Sequence, residues 1–113
     1  MKDSEIKIKI SLDENKVPEQ IYWTAEDAGE VKQKSEAILI SLWDAEKQNS
    51  LRIDLWTKEM KVDEMKTFFH QTLTAMTDTF ERATGDEKMA GDMRLFCQHF
   101  AEELKLVKDI KKK

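Results

Sequence analysis

His70, His99 and Cys97 are the side chains of this 113-residue chain with the most metal-binding or nucleophilic chemistry. Imidazole nitrogens and a thiolate hold zinc when three or four of them converge, and such sites betray themselves by ligand spacing. Neither an HxxxH nor a CxxC spacing occurs. The two histidines are predicted on the polar faces of separate helices, so no metal centre is expected. Cys97 falls on an apolar helical stripe and reads as a small core residue, not a nucleophile. Carboxylates are plentiful, with 23 Asp and Glu against 19 Lys and Arg. They read as a solvated surface, because acid–base work needs a pair held at a reacting atom. Asp54 is the carboxylate to follow, since it lies inside a predicted strand, where a contact with Ser41 across the hairpin is expected. Met60, Met65, Met76, Met89 and Met93 form stripes, for which core packing is favoured over an adaptable binding groove. No glycine-rich phosphate loop is present. No catalytic residue and no cofactor site is therefore expected, and the chain does not read as an enzyme.

Composition narrows the class further. The length suits one domain, residues 1–113, able to bury one core without staples. Charged residues reach 37%, but an apolar share of 40% is too high for a disordered chain. A net charge of −4 favours solubility and argues against nucleic-acid or anionic membrane surfaces. Cys97 is the only cysteine, which rules out an intrachain disulfide and suits a reducing compartment. The start, MKDSEIKIKI, lacks an apolar segment of signal-peptide length, and no run approaches about eighteen apolar residues. A cytoplasmic protein with no direct membrane insertion is expected.

The elements that must position these residues follow from hydrophobic period. Ile6, Ile8, Ile10 and Leu12 alternate with Lys7, Lys9 and Ser11, the mark of a strand over about 5–12. Asp13–Lys16 supplies turn chemistry, and a second strand over about 17–24 pairs back, with Pro18 at its start or on an unpaired edge. Ala25–Lys34 is polar around Gly29 and reads as a loop, with room for a helical turn. Ala37–Trp43 and Leu51–Thr57 flank a polar segment and predict a second hairpin, with strands over about 36–43 and 51–57. The period then changes from 2 to 3.6. Val62, Met65, Phe69, Leu73, Met76, Phe80 and Ala83 step by three and four, predicting a helix over about 62–83. Gly85 stops it, and Thr84 with Glu87 fits a capping box for a second helix over about 86–108. Met89, Met93, Phe96, Cys97, Phe100, Leu104 and Val107 form its stripe, and the Lys111–Lys113 tail reads as its solvated end. The expected architecture is α+β: a four-stranded antiparallel sheet made of two successive β-hairpins, followed by two long antiparallel helices packed on one face.

The second hairpin has a mixed reverse face. Placing Leu42 opposite Ile53 and Ile40 opposite Leu55 turns these four to the core. The other face then pairs Trp43 with Arg52, Ser41 with Asp54 and Leu39 with Trp56. Two readings of that face stand. Either the Ala25–Lys34 loop or a terminus covers it, or Leu39, Trp43, Arg52, Asp54 and Trp56 form a partner or self-association surface, since aromatics and Arg are enriched in such surfaces.

With these segments in view, a family emerges. RIDLWTKEM, VDEMKTFFHQTL, DTFERATGDEKM and MRLFCQHFAEEL resemble the GldC gliding motility protein family of Bacteroidetes. SLDENKVPEQIYWTAED and SLWDAEKQNS are similar to its N-terminal half, so the likeness runs from about Ser4 to about Leu106. The resemblance implies a small cytoplasmic accessory component of the gliding machinery, which is linked to type IX secretion. It implies no enzyme activity and no cofactor. Partners would be other gliding-machinery proteins, with a homodimer as a further candidate. The rival reading is a small-molecule or lipid-binding module with a pocket between sheet and helices.

Overall fold

The computed structural model describes residues 2–106. The chain forms two compact units, Met1–Lys61 and Val62–Lys113. The first holds strands β1 (Lys7–Leu12), β2 (Pro18–Ala25), β3 (Glu30–Ser35), β4 (Ala37–Asp44) and β5 (Asn49–Trp56). The second holds helices α1 (Val62–Thr84) and α2 (Glu87–Glu103). The α+β class is as expected, but the sheet is not. In place of one four-stranded sheet there is a three-stranded antiparallel sheet in the order β1-β2-β3 and a separate two-stranded ribbon, β4-β5.

The difference lies in β3, which occupies the second half of the expected Ala25–Lys34 loop. A 3-10 turn at Glu26–Ala28 ends on Gly29, whose φ of 79° lets its N–H reach the Glu26 carbonyl at 2.9 Å. The chain thereby reverses, and β3 pairs with β2 from Ala25↔Glu30 to Ile21↔Ser35. EVKQKS has no apolar alternation because an edge strand wetted on both faces does not need one. Its backbone supplies the pairing. Lys32 breaks the ladder with φ of 49°, and its N–H turns to the Thr24 hydroxyl at 3.0 Å.

The first hairpin forms as its period predicts, running from Lys7↔Thr24 to Leu12↔Pro18 with a bulge at Ser11/Leu12. Asp13 builds its turn. One carboxylate oxygen accepts from the N–H groups of Asn15 and Val17, at 2.8 and 2.9 Å. The other takes the Lys58 ammonium at 2.8 Å, so the turn is tied to the segment after β5. Lys58 N–H also reaches the Pro18 carbonyl at 3.3 Å. Beside it Thr57 is fully buried. Its N–H donates to the Glu36 carbonyl at 2.9 Å and its hydroxyl to the Glu36 carboxylate at 2.5 Å. Glu36 is the residue between β3 and β4, so this pair closes the open end of the ribbon.

In the second unit α1 and α2 run antiparallel, since His70 stacks on Phe100 and Arg94 bridges Asp78 and Glu81. Gly85, at φ of 73°, ends α1 with its N–H on the Glu81 carbonyl at 2.8 Å. The cap of α2 is Asp86, not the expected Thr84: its carboxylate accepts the Met89 N–H at 2.9 Å, while the Thr84 hydroxyl accepts from Asp86 N–H at 3.1 Å. The expected end near residue 108 also shifts. Lys105 takes φ of 61°, and Leu106 N–H returns to the Ala101 carbonyl at 2.7 Å, a Schellman-type stop with lysine where glycine is usual. Val107 and the Lys111–Lys113 tail lie outside the described residues.

The helix seam is small. Ala90, Cys97 and Ala101 of α2 and Thr77 of α1 are buried, with the Thr77 hydroxyl 3.8 Å from the Cys97 sulfur. Of the larger residues on the expected stripes, Leu73, Phe80 and Phe100 are half-buried. Val62, Phe69, Met76, Met89 and Phe96 are exposed. Small side chains at the seam let the backbones approach, and this rotates the bulkier stripe out of the contact. Gly91 adds nothing to that approach, since a Cβ there would meet no atom within 4 Å.

Three outcomes test this packing. The Lys58 ammonium, aided by the Val17 N–H, holds the Asp13 carboxyl down at about 2. A depressed carboxyl adds stability above its unfolded value near 3.8, lost as pH falls towards about 2. Asp13→Asn should therefore flatten the acid limb of the unfolding midpoint across that window, read by urea titration at stepped pH. Thr57→Val should lower the unfolding free energy by about 1–3 kcal/mol in denaturant melts, because it removes the charge-assisted hydrogen bond to the Glu36 carboxylate, whereas Thr57→Ser should retain most of it. Gly91→Ala should raise the stability of the helical unit by about 0.5–1 kcal/mol, as a thermal melt would show.

Candidate interaction surface

Antiparallel pairing fixes which side chains of the ribbon share a face. The register runs from Ala37↔Trp56 through Leu39↔Asp54, Ser41↔Arg52 and Trp43↔Ser50 to Asp44↔Asn49. One face therefore holds Ile38, Ile40, Leu42, Leu51, Ile53 and Leu55. The other holds the five residues singled out from the sequence: Leu39, Trp43, Arg52, Asp54 and Trp56.

The partition into faces is as expected, but the partners across the strands are not. Leu42 stands opposite Leu51 rather than Ile53, and Ile40 opposite Ile53 rather than Leu55. Trp43 faces Ser50 rather than Arg52. Asp54 faces Leu39, and Trp56 faces Ala37. The cause is a tight loop. The Asp44 carboxylate accepts from the N–H groups of Glu46 and Lys47, at 3.0 and 3.2 Å. Gln48 adopts φ of 55° and returns its side-chain amide to the Ala45 carbonyl at 2.7 Å. The loop shrinks to Ala45–Gln48, and the register slides by an even number of residues. Parity survives an even slide, since side chains alternate with period 2.

Asp54 finds its partner along its own strand. The Arg52 guanidinium lies 3.2 Å from the Asp54 carboxylate, two residues away on the same face. Trp43 and Trp56 are 63% and 54% exposed, so most of each indole stays in water. Leu39 is also exposed. The opposite face shares this character: Leu42, Leu51 and Ile53 are exposed, and Ile38, Ile40 and Leu55 are half-buried. A two-stranded ribbon with apolar side chains on both faces is marginal by itself.

The second unit contributes an apolar groove of about 320 Å³ between α1 and α2. Met76, Met89 and Phe96 line it with Leu73, Met93 and Cys97. Periodicity placed these methionines correctly on the helices but assigned them to a filled core.

The residues considered for chemistry are dispersed. His70 is half-buried against Phe100, with ring centroids 6.1 Å apart, a correction to its expected polar-face position. Residue 70 is two turns from Thr77, which puts it on the seam. His99 is exposed and lies beside Phe96 on α2. Among the described residues no three His, Cys, Asp or Glu side chains gather where they could hold a metal ion. No helix among them is long and apolar enough to cross a membrane.

Comparison with known proteins places this architecture. No curated protein and no solved structure matches the chain. A family model described as gliding motility-associated protein GldC-like matches residues 18–106, which include β2 to β5 and both helices. With most of its length covered, and with the ribbon and helical hairpin inside the match, the chain belongs to the GldC-like family of gliding motility-associated proteins.

Proposed function

We propose that this protein is a non-enzymatic accessory component of the gliding machinery, linked to type IX secretion. It acts in the cytoplasm as an adaptor or assembly factor through protein–protein contacts. The observation that carries this reading is the ribbon face with Trp43, Trp56, Arg52 and Leu39 in the open. Tryptophan and arginine dominate the binding energy of interfaces, because they bury large area and still offer directed polar contacts. Here both indoles are held on a backbone fixed by the Asp44 turn at one end and the Thr57–Glu36 bonds at the other. A preset strand pair loses little freedom on binding, so more of the contact energy appears as affinity. The partner is another gliding-machinery protein that presents an apolar patch rimmed by hydrogen-bonding groups. A net charge of −4 disfavours nucleic acid as that partner.

Trp43→Ala and Trp56→Ala test the reading. Each should leave a cooperative unfolding transition, because neither ring is buried. Each should weaken capture of the gliding partner by about tenfold or more, measured by pull-down from gliding cells and then with the purified partner. Unchanged capture with both substitutions would show that the face is not the contact.

A further inference from the structure

We infer that two copies of this chain pair through the outer edge of β5, antiparallel about a two-fold axis at Ile53, to make a continuous four-stranded sheet. This inference is independent of the adaptor reading, since it concerns the chain alone.

Four sheet edges are open among the described residues, and they differ in how they resist pairing. The β1 edge carries Lys7 and Lys9, which would meet like charge in a second copy. The β3 edge carries Glu30, Lys32 and Lys34 and is broken by the left-handed Lys32. Such charges and bulges are the usual guards of an edge. The ribbon edges lack bulges and carry no excess of like charge. From Ala37 to Trp43, β4 has no charge that could select a register. In β5 the run Ser50-Leu51-Arg52-Ile53-Asp54-Leu55-Trp56 has one cation and one anion, symmetric about Ile53.

That symmetry specifies the pairing. With Ile53 opposite Ile53 of the second copy, Arg52 stands opposite Asp54 of the second copy, and Asp54 opposite its Arg52. Two opposite-charge pairs result from one register, and a shift of two residues in either direction loses them. Leu51 then meets Leu55 of the second copy. The six aliphatic residues of each ribbon combine into three rows of four, of which the central one is Ile40-Ile53-Ile53-Ile40. On the other face Trp43, Ser50 and Trp56 of the second copy fall in one row. The two indoles lie two strand spacings apart, roughly 10 Å, with only a serine between them. The marginal two-stranded ribbon becomes a sheet with the width that independent stability needs.

Charge exchange tests this on the full-length purified chain by sedimentation equilibrium. The wild type should dimerise reversibly. Arg52→Asp and Asp54→Arg each place like charges opposite one another twice, and should weaken the dimer by roughly tenfold or more. The double variant, Arg52→Asp with Asp54→Arg, restores both opposite-charge pairs and should restore dimerisation. Far-ultraviolet circular dichroism of each variant checks that the fold is kept. Ile53→Cys provides an assay that does not depend on charge. Residues facing one another across a strand pair have Cα atoms about 4.5–5.5 Å apart, within disulfide reach. Mild oxidation should link Ile53→Cys chains into dimers and leave Ser50→Cys chains unlinked. A chain that stays monomeric over its soluble range, a dimer indifferent to both charge reversals, or equal cross-linking at positions 50 and 53 would overturn the pairing.

Discussion

Thr57 is a polar residue with no solvent exposure, placed where β5 ends and the helical unit is about to begin. A buried hydroxyl is tolerable only if bonded, and Glu36 satisfies both the hydroxyl and the backbone N–H. Because Glu36 separates β3 from β4, one residue pair fixes the end of the ribbon against the start of the strand that leaves the three-stranded sheet. Lys58 extends the tie to the far side of the first hairpin through Asp13 and the Pro18 carbonyl. The β-ribbon is thus tied down through a short polar segment, Thr57-Lys58, while Leu42, Leu51 and Ile53 stay exposed.

How much of this could be seen in the sequence depended on what each element needs from its side chains. The helices were legible because Val62–Thr84 and Glu87–Glu103 repeat apolar residues at 3.6. The strand faces of Ile38–Leu42 and Leu51–Leu55 were legible because period 2 survives any even slip. Register was not, since it rests on the Asp44 turn and the left-handed Gln48, neither of which carries a glycine signal. The β3 strand was invisible because EVKQKS is held by backbone pairing alone. The stop at Lys105 escaped for the same reason as the Gln48 turn: a left-handed position filled by a long polar residue. The seam between α1 and α2 was read only in part: Cys97 is buried as its stripe position predicted, but period analysis weights the largest apolar residues, and Thr77, Ala90 and Ala101 escaped it.

The candidate surface shows the same division. Its members, Leu39, Trp43, Arg52, Asp54 and Trp56, follow from parity and so were identifiable without coordinates. Their pairings, above all Arg52 with Asp54 along one strand, required the register. Membership of the GldC-like family places the chain among gliding motility-associated proteins.

Cys97 gives the seam a further property. It is the only thiol in the chain, and it lies nearly buried against Thr77 at the floor of the groove between the helices. An alkylating reagent reaches the sulfur faster as the helices loosen, so the rate of labelling follows their opening. The cysteine is a built-in stopwatch for the helical unit.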